Sequence, residues 1–99
     1  MSNAKNITNL SLYHFEACPY CARTRQAIQH LELDIPKYDI RSNPAKRTEL
    51  IRKGGLGQVP CLKIETSDGN TEWLYESSDI IKYLNSNADI IRKQTQQYA

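Results

Sequence analysis

Cys18 and Cys21 are the residues whose types and spacing most clearly indicate chemistry. They follow an apolar run and precede a helical pattern, so we expect Cys18 at a helix N-terminus. There the unpaired backbone N–H groups and the helix dipole stabilise negative charge, which favours the nucleophilic thiolate. Side chains three residues apart on a helix lie about 5 to 6 Å apart at Cβ, so a disulfide needs only modest adjustment. The pair therefore predicts reversible thiol–disulfide exchange.

A Cys-x-x-Cys pair also occurs in structural zinc sites and, less often, as a structural disulfide. A zinc site usually needs two further cysteine or histidine ligands. The remaining candidates are Cys61, His14 and His30, and no two of them have the sequence spacing of a zinc-ligand pair. A disulfide across so short a loop adds little stability. With three cysteines and no apparent secretory signal, we expect a reduced pair in the cytoplasm and no bound metal.

The composition is that of a soluble globular chain, because 39% of its 99 residues are hydrophobic and 24% are charged. A formal net charge of +2 is too small to indicate nucleic-acid binding, and no run has the length of a membrane helix. We therefore expect a monomer with no nucleic-acid or membrane partner. Residues 10–99 are expected to form one domain. Residues 1–9 precede it, and residues 1–4 partly resemble the remnant of a cleaved tag.

Apolar periodicity and turn residues predict the order βαβα, then a β-hairpin, then a helix. The first two strands should be parallel with a right-handed crossover, and the hairpin should extend the sheet antiparallel with helices on both faces. The strands are predicted at about 10–15, 36–40, 57–64 and 73–75, and the helices at about 19–31, 42–53 and from 77 onward.

Several finer expectations follow from the same patterns. In the first helix, Thr24 and Ile28 should face the core, and Arg25 should face solvent. His14 is expected to be a strand residue with its polar tip in water and no role. Cys61 should be a small buried hydrophobe. The run Asn85-Ser86-Asn87 is expected to interrupt the last helix and leave a short terminal helix.

Three motifs carry a family resemblance: Cys18-Pro19-Tyr20-Cys21, Gln58-Val59-Pro60 and Glu76-Ser77-Ser78-Asp79. With them the chain resembles a dithiol glutaredoxin of the thioredoxin-like α/β fold, over roughly residues 11–84. The resemblance implies a four-stranded mixed sheet, a cis Pro60 beside the active site, and Cys18 and Cys21 as the catalytic thiols. It also implies glutathione binding by Tyr20, Val59, Pro60, Glu76 and Ser77.

The proposed glutathione contacts have physical reasons. Val59 can offer its backbone N–H and C=O to an extended peptide such as glutathione. Ser77, at a helix N-terminus, can hold the γ-glutamyl carboxylate, and Glu76 can meet the ammonium group. The alternative is that Ser77 and Ser78 only cap the helix. The Glu-Ser pair is more similar to glutathione transferase N-terminal domains than to the Gly-Gly-x-x-Asp turn of common glutaredoxins.

The chain departs from the glutaredoxin pattern at Phe15. Common glutaredoxins carry a basic residue three positions before the first cysteine, where this chain has Phe15. A cation that assists the thiolate or the glycine carboxylate of glutathione is therefore missing from its usual place. Arg23, Arg47, Arg52 and Lys53 are candidates to replace it, and the sequence does not choose among them.

The resemblance implies a glutathione-dependent thiol–disulfide oxidoreductase. Its partners would be glutathione as co-substrate and glutathionylated or disulfide-containing proteins, with no bound cofactor. One alternative is an iron–sulfur carrier in which two chains share a cluster through Cys18 and two glutathiones, although Pro19 stiffens that loop. Another alternative is a non-catalytic glutathione-binding domain. Conjugation chemistry is not expected, because a transferase needs a helical domain that would follow Ala99.

Overall fold

The computed structural model describes residues 7–96 and shows a mixed sheet with helices on both faces. The predicted order βαβα-ββα is confirmed. The elements are β1 (Ile7–His14), α1 (Pro19–His30), β2 (Lys37–Asp39), α2 (Pro44–Glu49) continued by a π-helical turn (Leu50–Gly54), β3 (Cys61–Thr66), β4 (Thr71–Tyr75) and α3 (Ser77–Gln96).

The four strands lie in the order β2-β1-β3-β4. β1 and β2 are parallel, and β3 is antiparallel to both β1 and β4, as predicted. Tyr13 is opposite Tyr38 on one side and Cys61 on the other, and Cys61 is also opposite Tyr75. The carboxyl ends of β1, β2 and β4 therefore meet the amino end of β3 at one end of the sheet, which we call the site end.

Alternating side chains of the strands build a hydrophobic core on each face of the sheet. Under α1 and α3, the larger core includes Leu12 and Leu62 from the strands together with Ile28 and Leu84 from the helices. On the opposite face, the smaller core consists of Tyr13, Ile40, Leu50 and Cys61. Tyr13, Ile40 and Cys61 stand at or beside the site end, so Leu50 packs against the sheet there.

Two predicted boundaries differ from the structure. β1 begins at Ile7 rather than at residue 10, because Ile7 is buried and pairs with Thr66 of β3. The predicted interruption of the last helix is wrong, since α3 continues to Gln96. The Asn85 side chain donates to the Ile81 carbonyl at 2.9 Å, within the helix. Burial of the side chains one and two turns further on, Ala88 and Ile91, stabilises the continuation of the helix.

The second helix begins and ends where the capping residues of the sequence predict. Asn43 caps it by accepting from the backbone N–H of Lys46, and Pro44 occupies the first turn. The π-helical turn ends at Gly55, whose φ of 96° lies in the left-handed region that glycine tolerates. The turn itself was not predicted from the sequence, and it brings Leu50 onto the smaller core.

Glu49 joins α2 to the sheet through a partly buried polar network. Its carboxylate accepts hydrogen bonds from the Tyr13 hydroxyl and the Lys63 ammonium, both at 2.8 Å, and from the Lys46 ammonium at 3.3 Å. Burial alone would raise the pKa of Glu49, but these three donors outweigh it and hold the pKa at about 2. The carboxylate therefore stays ionised and stabilises the site end of the sheet.

Glu49→Gln is expected to lower the free energy of unfolding by about 2 kcal/mol at neutral pH, because charged hydrogen bonds to Lys63 and Tyr13 are lost. Since folding depresses the pKa of Glu49, its stabilisation is present above about pH 5 and is lost as the pH falls toward 2. Urea unfolding at neutral pH and near pH 3 measures this. The difference in stability between the wild type and the variant should be smaller near pH 3 than at neutral pH. Exposed Glu72→Gln should match the wild type at both values. A difference that did not change with pH would contradict this role.

Candidate active site

Cys18 is the N-cap residue of α1. Its backbone is extended (φ −79°, ψ 119°), and Pro19 occupies the first helical turn. The Cys18 Sγ accepts a hydrogen bond from the backbone N–H of Cys21 at 3.3 Å. The sulfur therefore lies where a helix N-terminus stabilises a negative charge. Cys18 is only 8% exposed, whereas an attacking thiol at a helix start would be expected to be open to solvent.

Cys21 and Cys61 are buried thiols of a different character. Burial, with a further contribution from the hydrogen bond to Cys18, raises the pKa of Cys21 to about 12. Burial raises the pKa of Cys61 to about 12 as well. Both side chains therefore keep their protons at neutral pH, and the expectation that Cys61 packs as a small hydrophobe is confirmed. All three cysteines are free thiols in this structure.

The predicted site residues meet at the site end of the sheet. Cys18 follows β1, Val59 and Pro60 precede β3, and Glu76 and Ser77 follow β4. The Val59–Pro60 peptide bond is cis, as predicted, and Pro60 is buried. The sheet register therefore brings together three segments that lie up to 59 positions apart in the sequence.

Glu76 links two of these segments. Its carboxylate accepts a hydrogen bond from the Gln58 amide at 3.3 Å, immediately before Val59. Its φ of 75° is unusual for a residue other than glycine, and such backbone conformations concentrate at functional sites. Its carbonyl accepts the N–H of Ile80, so Glu76 precedes the first residue of α3.

Ser77 is therefore the first residue of α3, not its capping residue, which corrects the capping interpretation. Its hydroxyl forms no hydrogen bond with any residue in the described part of the chain. Every fully buried side-chain polar atom in that part of the chain has a hydrogen-bond partner. Because the Ser77 hydroxyl has none, its oxygen is not fully buried and retains contact with solvent. A free hydroxyl beside the unpaired N–H groups of a helix N-terminus can donate, with them, hydrogen bonds to an anionic ligand.

Tyr20 lies between the two cysteines on the outer side of α1. Its side chain is 61% exposed, and its carbonyl accepts the hydroxyl of Thr24 at 3.0 Å. The structure therefore holds its backbone and leaves its ring in solvent. A contact between Tyr20 and glutathione remains a prediction.

Arg25 is a residue of the site that the sequence reasoning missed. It was expected to face solvent, but it is half-buried and reaches back across the loop before Cys18. Its guanidinium lies 2.9 Å from His14 Nδ1 and donates to the carbonyls of Phe15 at 3.4 Å and Glu16 at 3.3 Å. Arg25 therefore fixes the three residues that lead into the loop carrying the nucleophile.

His14 is buried beneath this loop, so the expectation that its tip reaches water is wrong. Burial lowers the pKa of His14, and the neighbouring Arg25 guanidinium lowers it further. Because an arginine only donates hydrogen bonds, Nδ1 must be the acceptor and the proton of the neutral ring is on Nε2. No feature of the sequence signals this pair, since it depends on how the end of β1 meets the second turn of α1.

A second guanidinium lies at the position where the expected cation is missing. Arg41 follows β2, and its guanidinium carbon stands 4.3 Å from the centre of the Phe15 ring. Arg23, Arg47, Arg52 and Lys53, the candidates chosen from the sequence, make no ring contact or ion pair in the described part of the chain. Within the described residues, Arg25 and Arg41 are the cations with a hydrogen bond or ring contact to this loop.

Two further properties concern the residues that the structure describes. Within residues 7–96 no three histidine, cysteine or acidic side chains are grouped to hold a metal ion. Among the same residues no helix combines the length and the apolar character needed to cross a bilayer.

Comparison with known proteins shows which family the chain belongs to. Residues 12–93 match the family described as the glutathione S-transferase N-terminal domain. Glutaredoxin 3 from Escherichia coli K12 is 31% identical over 70 residues, which cover 70% of this chain and 84% of that protein. This chain belongs to the glutaredoxin family. The family match and the Glu76-Ser77 pair also confirm its likeness to the transferase domain.

Solved structures show that this glutaredoxin-family chain has the thioredoxin-like fold. The solution structure of a glutaredoxin from Brucella melitensis superposes with a TM-score of 0.58 at 18% identity, over 94% of this chain and 97% of that one. A maleylacetoacetate isomerase from Anaeromyxobacter dehalogenans, with GSH bound in its active site, gives a TM-score of 0.65 at 20% identity. That match covers 87% of this chain and 40% of the isomerase.

Proposed function

We propose that this protein is a glutathione-dependent thiol–disulfide oxidoreductase that reduces protein–glutathione mixed disulfides and protein disulfides. Membership of the glutaredoxin family supports a glutathione-related thiol oxidoreductase in general. The observation that carries the specific proposal is the contrast between the two thiols. The Cys18 sulfur accepts a hydrogen bond at a helix N-terminus, whereas Cys21 is buried with a pKa of about 12.

The monothiol reaction needs two displacements. The Cys18 thiolate attacks the glutathione sulfur of a mixed disulfide, so that a Cys18–glutathione disulfide forms and the protein thiolate leaves and takes up a proton. The thiolate of a second glutathione then attacks this intermediate. Glutathione disulfide forms, and the Cys18 thiolate is restored as the leaving group. Glutathione is the reductant, and no resident cofactor takes part.

Protein disulfides would require both cysteines. Cys18 attacks one sulfur of the substrate disulfide, so that a Cys18–substrate disulfide forms and the other substrate sulfur leaves as a thiolate. Cys21 then gives up its proton to a departing substrate thiolate and attacks the Cys18 sulfur. The second substrate sulfur leaves, and a Cys18–Cys21 disulfide remains for glutathione to reduce. We propose that this chemistry takes place in the cytoplasm and that the protein acts as a monomer.

Four residues at the site end, Val59, Ser77, Glu76 and Tyr20, would orient glutathione. The backbone of Val59, next to the cis Pro60, would pair with the cysteinyl part of the tripeptide in the manner of an added strand. The free Ser77 hydroxyl and the N-terminus of α3 would hold the γ-glutamyl carboxylate. Glu76 would meet the ammonium group, and Tyr20 would cover the reacting sulfur from its exposed position.

The direct test of this function is glutathione-dependent reduction of a small glutathione mixed disulfide, with glutathione reductase consuming the glutathione disulfide that is formed. Turnover that saturates with the mixed disulfide and requires Cys18 is the expected result. Binding of glutathione without turnover would instead indicate a non-catalytic glutathione-binding domain.

Ser77→Ala is expected to weaken turnover of glutathione mixed disulfides by about 10- to 100-fold in kcat/KM, because a hydrogen bond to a charged group is worth about 1.5–3 kcal/mol. The activity toward a disulfide that lacks glutathione should change little. Ser78→Ala is the matched control, since Ser78 is the exposed next residue of α3. Equal losses on both disulfides would show that Ser77 only supports the helix, and this assignment would then fail.

A further inference from the structure

The chain between β2 and β3 carries an unusual concentration of positive charge. Residues 41–53, which we call the cationic segment, contain five basic residues and one acidic residue, a net charge of +4. The whole chain has a net charge of only +2, so the remainder is net acidic. The basic residues are Arg41, Lys46, Arg47, Arg52 and Lys53.

The fold leaves most of this charge unneutralised. Glu49, the acidic residue of the segment, is turned toward the sheet and is occupied by Tyr13, Lys63 and Lys46. Three other side chains are exposed and have no carboxylate within ion-pair distance among the described residues: Arg47, Arg52 and Lys53. They are available to an acidic partner in solution.

The cationic segment meets the candidate active site at two points. At its beginning, Arg41 stacks on Phe15, three positions before Cys18. Further along, Leu50 packs with Tyr13 and Cys61 at the site end of the sheet. A protein whose cysteine reached Cys18 would therefore lie against the cationic segment.

Exposed apolar side chains accompany the charges. Ile51, within the segment, is 40% exposed, Leu56, just beyond it, is 53% exposed, and Tyr20 beside the cysteines is 61% exposed. Large apolar side chains next to unpaired cations are typical of a protein-binding surface, where apolar contacts supply affinity and charges supply selectivity.

We propose that the cationic segment recruits protein substrates whose glutathionylated cysteine is flanked by acidic residues. This inference rests on the proposed function and names its substrate class. The low net charge of the whole chain and the neighbouring apolar side chains favour a protein over a nucleic acid, whose binding needs a more extensive basic surface. Electrostatic steering of this kind raises association rates by about 10- to 1,000-fold and weakens with ionic strength.

Two glutathionylated peptides of equal length test the proposal, one with glutamates and one with lysines around the cysteine. The wild type should show a kcat/KM about tenfold higher for the acidic peptide at low salt, and added salt should reduce this preference. Arg47→Glu with Arg52→Glu should abolish or reverse it. Lys82→Glu with Lys93→Glu is the matched control of equal charge change, because both lysines are exposed on α3, across the sheet.

Each alternative outcome has a distinct meaning. Equal rates for the two peptides in the wild type, or equal effects of the two double variants, would overturn the proposal. An equal loss on the mixed disulfide of glutathione with a small uncharged thiol would show that the segment acts on glutathione itself and would also overturn it. Stronger inhibition of the acidic-peptide reaction by an RNA oligonucleotide than by a polyglutamate peptide would assign the surface to nucleic acid. No turnover of any of these substrates would overturn the proposed function and this inference together.

Discussion

Cys18→Ser is expected to abolish reduction of both glutathione mixed disulfides and protein disulfides, whereas Cys21→Ser should retain the first activity and lose the second. Only Cys18 presents its sulfur at the N-terminus of α1, where a negative charge is stabilised. Cys21 is fully buried, and burial raises its pKa to about 12, so it keeps its proton until a mixed disulfide forms above it. The two coupled assays, with a glutathione mixed disulfide and with a protein disulfide, measure the difference.

Cys61→Ala is the control for loss of a thiol as such. Cys61 is buried in the smaller core at the amino end of β3, so its replacement should lower stability slightly and leave both activities in place. Full activity of Cys18→Ser, or loss of the mixed-disulfide activity in Cys21→Ser, would reverse the assignment of the two thiols.

Arg25→Met is expected to reduce kcat/KM by at least tenfold and to destabilise the fold by about 2 kcal/mol, because the buried Nδ1 of His14 is left without a donor. The methionine fills similar space but leaves the Nδ1 of buried His14 without its donor. It also removes one donor each from the carbonyls of Phe15 and Glu16, although the Phe15 carbonyl still accepts the backbone N–H of Cys18. The loop before Cys18 would then lose the contacts that fix it, and small misplacements of a reacting group have large kinetic costs.

The titration of His14 separates this positioning role from a general loss of stability. Burial and the Arg25 guanidinium together lower the pKa of His14, so Arg25→Met should raise that pKa toward its ordinary value. The pH dependence of the imidazole NMR signals measures it. Arg23→Met changes an exposed arginine two positions earlier on α1 and should alter neither activity nor titration. If Arg25→Met kept wild-type activity with a shifted His14, Arg25 would have no part in positioning Cys18.

The local signals in the sequence were sufficient for most of the framework. The turn around Asp68-Gly69 was predicted because aspartate and glycine favour tight hairpins, and Gly69 does adopt a positive φ of 87°. The start of α1 at Pro19 followed from a residue whose missing N–H costs nothing in the first turn. The hairpin turn and the start of α1 are both determined by residues that are adjacent in the sequence.

The features that were missed depend on distant contacts. Asn85 and Asn87 favour turns, but their side chains bond to carbonyls of the preceding helical turn, and burial of Ile91 extends α3 beyond them. Periodicity assigned Arg25 to the outer face of α1, but it lies one turn after the buried Cys21 and its long side chain reaches back to His14. Such a contact becomes visible only when the packing of β1 against α1 is known.

The central claim is that Cys18 takes the glutathionyl group from a mixed disulfide, and mass spectrometry of the Cys21→Ser variant tests it most directly. This variant cannot form the Cys18–Cys21 disulfide, so an intermediate on Cys18 should accumulate when a glutathione mixed disulfide is added without free glutathione. The expected result is one glutathionyl group per chain, located on Cys18 by peptide mapping and removed by added glutathione. An unmodified Cys18, or a glutathionyl group found only on Cys61, would contradict the claim.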